Sequence, residues 1–180
     1  AYFIINYCLP GDLAIDIGAH FGFFSLLMSE IVGEKGSVHS FEPTPSTFSV
    51  LQKNVFAKNN IIINNNAVFN KNTFIDLNDY GLASSAFNSI NLTRQKSYDP
   101  RLMRNKIKVQ AIKLDDYVIK NKLKPNFIKI DAESSEYQVL KGMDYVLTVI
   151  KPNLCIEFGD FGIKGVIPSR EIIDFLIKKY

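Results

Sequence analysis

The ten residues 13–22, LAIDIGAHFG, decide the fold of this 180-residue chain. An apolar run that ends in Gly18 predicts a buried strand followed by a tight turn. Residues 21–32 are dense in apolar side chains and stop before Gly33, which is typical of a helix that ends at a C-terminal glycine. The stretch therefore predicts a strand–turn–helix unit that carries an acidic residue, Asp16, near the carboxyl end of its strand.

Beyond this unit, apolar runs alternate with amphipathic stretches along the chain. Further strands are predicted at residues 36–42, from 61 onward, and at 107–114, 126–131 and 154–157. Further helices are predicted to begin at Thr44-Pro45, at Ser134 or Ser135, and at Pro168. Such alternation predicts a mostly parallel sheet with right-handed crossovers, so we expect a three-layer, Rossmann-like α/β fold. Residues 66–80 are expected to form a β-hairpin arm and residues 81–105 a long loop.

The composition predicts one globular domain over residues 1–180. Hydrophobic residues make up 47% of the chain, too many for a disordered protein, and no run approaches the about 20 apolar residues that span a bilayer. The apolar first residues lack the basic region of a signal peptide. Cys8 and Cys155 are too few for a disulfide framework and fit a reducing compartment, so we expect a cytoplasmic protein.

Acidic residues follow three of the predicted strands at their carboxyl ends, where open α/β sheets bind ligands: Asp16, Glu42 and Asp131. Gly18 and Gly22 do not have the G-x-G-x-x-G spacing of a dinucleotide site, and Asp16 would repel a pyrophosphate. A ligand with a cationic amino group and a sulfonium would instead be attracted to Asp16. Glu42 suits hydrogen bonds from two ribose hydroxyls. These features together indicate S-adenosylmethionine as the cofactor.

Four segments, in this order, resemble the FkbM-type S-adenosylmethionine-dependent methyltransferases. They are residues 11–22 (GDLAIDIGAHFG), 41–43 (FEP), 114–117 (LDDY) and 128–142 (IKIDAESSEYQVLKG). The resemblance implies O-methylation of a hydroxyl on a sugar, glycan or natural product. The family usually has Asn where His20 stands and Gly where Ser134 stands. Its sheet closes with an antiparallel hairpin, which we expect to be missing from this chain after the fifth core strand and its helix.

Two sets of site residues follow. We expect the cofactor to be bound by Asp16, Gly18, Ala19, His20, Gly22, Glu42, Pro43, Asn66, Ala67 and Asp131. Methyl transfer to a hydroxyl is an in-line displacement that needs a base, and Asp131, Glu133 and His20 are the candidates for catalysis. The preferred interpretation involves no metal. Binding of a divalent cation by Asp131, Glu133 and Glu157, or simple helix capping by these carboxylates, stays open as an alternative.

The partner is expected to be a small-molecule or glycan acceptor. Six basic residues between positions 94 and 108 form either a solvated surface loop or a contact for an anionic acceptor, and no aromatic pattern beside them indicates an RNA-binding module, so a nucleic-acid partner is not expected. Two other functions stay open. One is an inactive or truncated binding module with this fold, and the other is a nicotinamide-dependent oxidoreductase.

Overall fold

The computed structural model describes residues 1–90, 105–158 and 166–179. The strands in these ranges are β1 (Leu13–Ile17), β2 (Ser37–Phe41), β3 (Ile61–Asn64), β4 (Ala67–Val68), β5 (Thr73–Asp79), β6 (Asn105–Ile112), β7 (Phe127–Ile130) and β8 (Asn153–Ile156). The α-helices are α1 (Tyr2–Tyr7), α2 (Phe23–Val32), α3 (Pro45–Val55), α4 (Leu114–Lys120), α5 (Glu136–Lys141) and α6 (Ser169–Lys179). A 3₁₀ helix covers Leu82–Phe87 and a π-helical turn covers Val146–Ile150.

Five strands form a parallel sheet in the order β3-β2-β1-β7-β8. The chain winds outward from β1 to β3 and then returns to place β7 on the other side of β1. The strand order therefore reverses between β1 and β7, which is the position where doubly wound sheets bind their ligands. This sheet confirms the predicted Rossmann-like α/β fold.

The sheet is buried on both faces, which explains the nearly continuous apolar runs in its strands. Side chains alternate between the faces along β1. Ala14 packs toward α2 with Met28, whereas Ile15 lies in the cluster that contains Leu140 and Met143 from the other side. Since Asp16 shares a face with Ala14, its carboxylate is buried beneath α2.

The helix ends agree with the sequence prediction. Thr44 is the N-cap of α3 and Pro45 is its first residue, while Ser135 rather than Ser134 is the N-cap of α5. Gly33 ends α2. Helix α1 was not predicted, because six residues at the start of a chain are too short for a clear helical period.

The prediction of a hairpin arm within residues 66–80 is wrong. Strand β5 pairs antiparallel with β6, and β4 pairs parallel with the other edge of β6, so that the three strands form a separate sheet in the order β4-β6-β5. Strand β4 has only two residues and offers β5 little to pair with. The eight-residue β6 instead contributes Val109 and Ala111 to an apolar cluster with Leu77 of β5. Part of the predicted loop, residues 91–104, lies outside the described residues.

Candidate active site

A cavity of about 250 Å³ lies at the carboxyl ends of β1, β2 and β7. The loop after β1 contributes residues 18–21, the loop after β2 contributes residues 42–44, and the turn after β7 contributes residues 131–133. Residues 66–68 of the chain around β4 form one wall. Residues 85, 86 and 88–90 also line the cavity, and we call residues 81–90 the covering segment.

Glu42 is held in a fixed position at the tip of β2. Its Oε2 accepts a hydrogen bond from the backbone N–H of His20 at 3.0 Å, and its Oε1 accepts one from the backbone N–H of Thr44 at 2.9 Å. The residue is only 6% exposed and lines the cavity. Burial raises the pKa of the Glu42 carboxyl to about 7, although the two backbone hydrogen bonds lower it. The carboxyl group can therefore change its protonation state near neutral pH.

Gly18 and Gly22 both adopt positive φ angles, of 75° and 92°, and both serve the packing of the protein itself. A Cβ on Gly18 would lie 1.8 Å from the carbonyl oxygen of Asp131, so only glycine lets the loop after β1 approach the end of β7. A Cβ on Gly22 would lie 2.7 Å from Cδ1 of Leu51 in α3. Gly18 lines the cavity, whereas Gly22 is not among its lining residues.

Asp16 is also placed differently from the expectation. Its side chain is fully buried and does not line the cavity. Oδ2 accepts a hydrogen bond from Ser25 of α2 at 2.6 Å, and Oδ1 lies 3.2 Å from Nζ of Lys129. The positive group that faces Asp16 is thus a lysine of the neighbouring strand β7, directly opposite in the sheet register.

The turn after β7 is unusual in its backbone. Glu133 and Ser134 have φ angles of 47° and 73°, in the region that favours glycine. Glu136 stabilises this turn, since its Oε1 accepts hydrogen bonds from the backbone N–H groups of Ala132 and Ser134 at 2.9 and 3.2 Å. Glycine would adopt the positive φ of Ser134 without strain. The turn directs Asp131 and Glu133 to the cavity.

His20 connects the loop after β1 to the covering segment. Its Nε2 lies 2.8 Å from Oγ of Ser85, and the hydroxyl of Ser85 donates its hydrogen to the carbonyl oxygen of Leu82. Because a serine hydroxyl has one hydrogen, Nε2 is the donor to Ser85, and Nδ1 carries the lone pair of a neutral ring. Burial lowers the pKa of His20 and the Lys129 ammonium lowers it further, whereas Asp131 raises it; the net shift is downward. His20 is therefore neutral at pH 7.

Two further hydrogen bonds hold the covering segment over the cavity. Nδ2 of Asn88 donates to Oγ1 of Thr44 at 3.3 Å, and Oγ of Ser89 donates to the carbonyl oxygen of Glu133 at 2.8 Å. The segment therefore touches the loops after β1, β2 and β7. The resulting volume lies just below the about 300 Å³ at which small-molecule sites usually begin. We expect the segment to shift when a large ligand enters.

The structure brings most of the predicted site residues together. Those that line the cavity are Gly18, Ala19, His20, Glu42, Pro43, Asn66, Ala67, Asp131 and Glu133. Sequence reasoning missed Lys129, which stands in an apolar strand and could have been singled out as a charge between buried residues. It also missed the covering segment, which contacts the site only through the tertiary fold.

Three other expectations concern metals, basic residues and membranes. Within residues 1–90, 105–158 and 166–179, no three His, Cys, Asp or Glu side chains are grouped so that they could hold a metal ion. The same ranges contain no helix of sufficient length and apolarity to cross a membrane.

Of the six basic residues, Arg94, Lys96, Arg101 and Arg104 lie outside the described residues. Lys106 forms an exposed ion pair with Asp76 at 2.8 Å.

Comparison with known proteins gives a family match over most of the chain. The model of the methyltransferase FkbM domain matches residues 16–180. Methyltransferase 1 of Beauveria bassiana is 26% identical over 171 residues, which cover 84% of this chain and 68% of that protein. The hexuronic acid methyltransferase AglP of Haloferax volcanii is 30% identical over 145 residues, 76% of this chain and 52% of that protein.

Two solved structures share the fold. The methyltransferase FkbM of Methylobacillus flagellatus superimposes with a TM-score of 0.63 at 17% identity, over 93% of this chain and 37% of that one. A putative rRNA methylase of Clostridium thermocellum gives a TM-score of 0.52 at 12% identity, over 98% of this chain and 75% of that one. The chain spans about half the length of AglP and little more than a third of the Methylobacillus protein.

Proposed function

This chain belongs to the methyltransferase FkbM family, and we propose that it transfers a methyl group from S-adenosylmethionine to an oxygen of a sugar or sugar acid. The observation that carries this proposal is Glu42, a buried carboxylate at the tip of β2 that lines the cavity and is fixed by two backbone N–H groups. The Thr44 side chain also hydrogen-bonds to this carboxylate, which has about four acceptor positions and so keeps capacity for a ligand.

The residues of the cavity fit an adenosine with a charged amino-acid arm. Glu42 would accept hydrogen bonds from the two ribose hydroxyls, and the wall formed by Asn66, Ala67 and Val68 lies on the side of β2 where the adenine would follow. The amino-acid arm would then extend along the sheet edge toward the tips of β1 and β7. Acceptor groups are found there, namely the Gly18 carbonyl and the Asp131 carboxylate.

S-adenosylmethionine, when bound, supplies an electrophilic methyl group. The residues around it align the acceptor oxygen and remove its proton. We assign proton removal to His20, because the neutral ring has its lone pair on Nδ1 while Ser85 engages Nε2. We assign Asp131 to the orientation of a ligand, since its Oδ2 already forms an ion pair with Lys129 at 3.4 Å and its residue lines the cavity. Glu133 lines the cavity next to it and would contact the acceptor.

The proposed acceptor class follows from the similarity to AglP, whose name specifies hexuronic acid. A hydroxyl acceptor needs a base, but a carboxylate acceptor arrives ionised and needs none. Loss of His20 should therefore impair methyl transfer to a hydroxyl acceptor but not to a carboxylate acceptor.

A methyl-transfer assay tests the proposal. Labelled S-adenosylmethionine would be offered with a panel of hexosides and hexuronosides to the native chain and to His20→Asn. Asparagine tolerates the left-handed conformation of residue 20, where φ is 52°, but cannot take up the proton. We expect the variant to lose about 100-fold or more in turnover with a hydroxyl acceptor and to retain turnover with a carboxylate acceptor. Equal turnover with a hydroxyl acceptor would contradict the role of His20.

A further inference from the structure

The ammonium group of Lys129 lies where the polar groups of three chain segments meet. It donates a hydrogen bond to the carbonyl oxygen of Gly18 at 3.0 Å, and it lies 3.2 Å from Oδ1 of Asp16 and 3.4 Å from Oδ2 of Asp131. The ring of Phe24 covers it, with its centroid 5.1 Å from Nζ. The residue is only 6% exposed and itself lines the cavity.

Three acceptors surround this ammonium: the Gly18 carbonyl accepts a hydrogen bond, and the carboxylates of Asp16 and Asp131 form ion pairs with it. Two of its acceptors, the Gly18 carbonyl and the Asp131 carboxylate, belong to residues that line the cavity, whereas Asp16 does not. Lys129 lines the cavity beside these two acceptors, and its ammonium holds both of them in place.

A chain of buried hydrogen bonds holds the Asp16 carboxylate that pairs with Lys129. Oγ of Ser40 donates to Oγ of Ser25 at 2.8 Å, and Ser25 donates to Oδ2 of Asp16, which leaves Oδ1 of Asp16 to face the lysine. Burial lowers the pKa of Lys129, but the carboxylates of Asp16 and Asp131 raise it, and the net shift is upward. The lysine is therefore charged at neutral pH.

We propose that Lys129 is a positioning residue, which fixes the Gly18 carbonyl and the Asp131 carboxylate as the seat of the amino-acid end of the cofactor. Asp16 anchors the lysine and is not itself a ligand of the cofactor. This inference rests on the proposed function, because it assumes an adenosine at Glu42 whose amino-acid arm reaches the tips of β1 and β7.

The test compares two nucleosides that differ only at that arm. S-adenosylhomocysteine has the amino-acid end, and 5′-methylthioadenosine lacks it. Lys129→Met alone would leave the buried Asp16 carboxylate without a counter-charge and could unfold the protein. The double variant Asp16→Asn/Lys129→Met removes both buried charges, and its folding would be checked by thermal unfolding. Lys35→Met, which changes an exposed lysine at the opposite end of the sheet, serves as the matched control.

We expect the double variant to bind S-adenosylhomocysteine about 10- to 100-fold more weakly than the native chain does. Its affinity for 5′-methylthioadenosine should stay unchanged, and Lys35→Met should bind both nucleosides as the native chain does. Unchanged binding of S-adenosylhomocysteine by the folded double variant, or an equal loss for both nucleosides, would overturn the role of Lys129 and leave the proposed function standing. A native chain that binds neither nucleoside would overturn both.

Discussion

Gly18 shows how one residue sets the geometry of the site. The absence of a side chain allows the loop after β1 and the end of β7 to meet, and this brings the groups held by Lys129 into one place. The same residue was predicted from the sequence because an apolar strand that ends in glycine indicates a tight turn. The reason for the glycine could not be predicted, because the Asp131 carbonyl that it accommodates is 113 positions away in the chain.

We expect Gly18→Ala to lower the free energy of unfolding by about 3 kcal/mol, since the new Cβ would overlap the Asp131 carbonyl. Gly11→Ala is a matched control, because Gly11 has a φ of 86° but nothing within 4 Å of an added Cβ. The free energy of unfolding of Gly11→Ala should fall by only about 1 kcal/mol, which is the cost of the left-handed conformation for a residue with a side chain. Urea denaturation measures both, and equal losses would show that backbone strain alone explains the glycine.

Glu42 makes the stability of the protein depend on pH. Its folded pKa is about 7, raised from 4.5, so the folded state binds a proton that the unfolded state has released over this interval. The contribution of Glu42 to stability therefore falls as pH rises from about 4.5 to about 7 and then levels off. We expect the difference in unfolding free energy between the native chain and Glu42→Gln to change by about 3 kcal/mol over this range. A difference that is constant with pH would contradict the raised pKa.

At the scale of the element, the turn between β7 and α5 departs most clearly from what its sequence favours. Ser134 and Glu133 hold positive φ angles that cost energy for residues other than glycine, and Glu136 offsets this cost through its hydrogen bonds to the turn. The sequence predicted a helix that begins near Ser134 or Ser135. It did not show that Glu136 serves the turn, because a glutamate in the first helical turn is also explained by the helix dipole.

Ser134→Gly should raise the free energy of unfolding by about 0.5 to 1 kcal/mol, because glycine adopts a φ of 73° without strain. Ser135→Gly is the same chemical change one residue later, where φ is −115° and the residue caps α5. We expect that control to be neutral or to lose a few tenths of a kcal/mol. Chemical denaturation would measure the unfolding free energy of both variants. A loss of stability in Ser134→Gly would show that the contacts of the serine side chain stabilise the protein by more than the backbone strain destabilises it.

At the scale of the whole molecule, local sequence patterns were sufficient to predict the strands of the parallel sheet but not the separate sheet formed by β4, β6 and β5. Each core strand is an apolar run between turn signals, so its existence could be predicted from the sequence. The pairing of β5 with β6 could not, since β5 ends at Asp79 and β6 begins at Asn105. The same limit applies to the site: the sequence predicted that Glu42 ends a strand, but it did not show that Asp16 pairs with Lys129, which lies 113 positions away in the chain.

The family match favours methyl transfer over the nicotinamide-dependent alternative, and the cavity at the strand-order reversal is where such a fold would bind its cofactor. The proposed function depends on the claim that Glu42 binds the ribose of S-adenosylmethionine in this cavity.

Titration calorimetry with S-adenosylhomocysteine tests that claim most directly, using the native chain, Glu42→Ala and the exposed control Glu34→Ala. We expect the native chain and the control to bind with equal affinity and Glu42→Ala to bind at least about tenfold more weakly, because it lacks the carboxyl group that accepts the ribose hydrogen bonds. Absence of binding by the native chain, or equal affinity in Glu42→Ala, would contradict that claim.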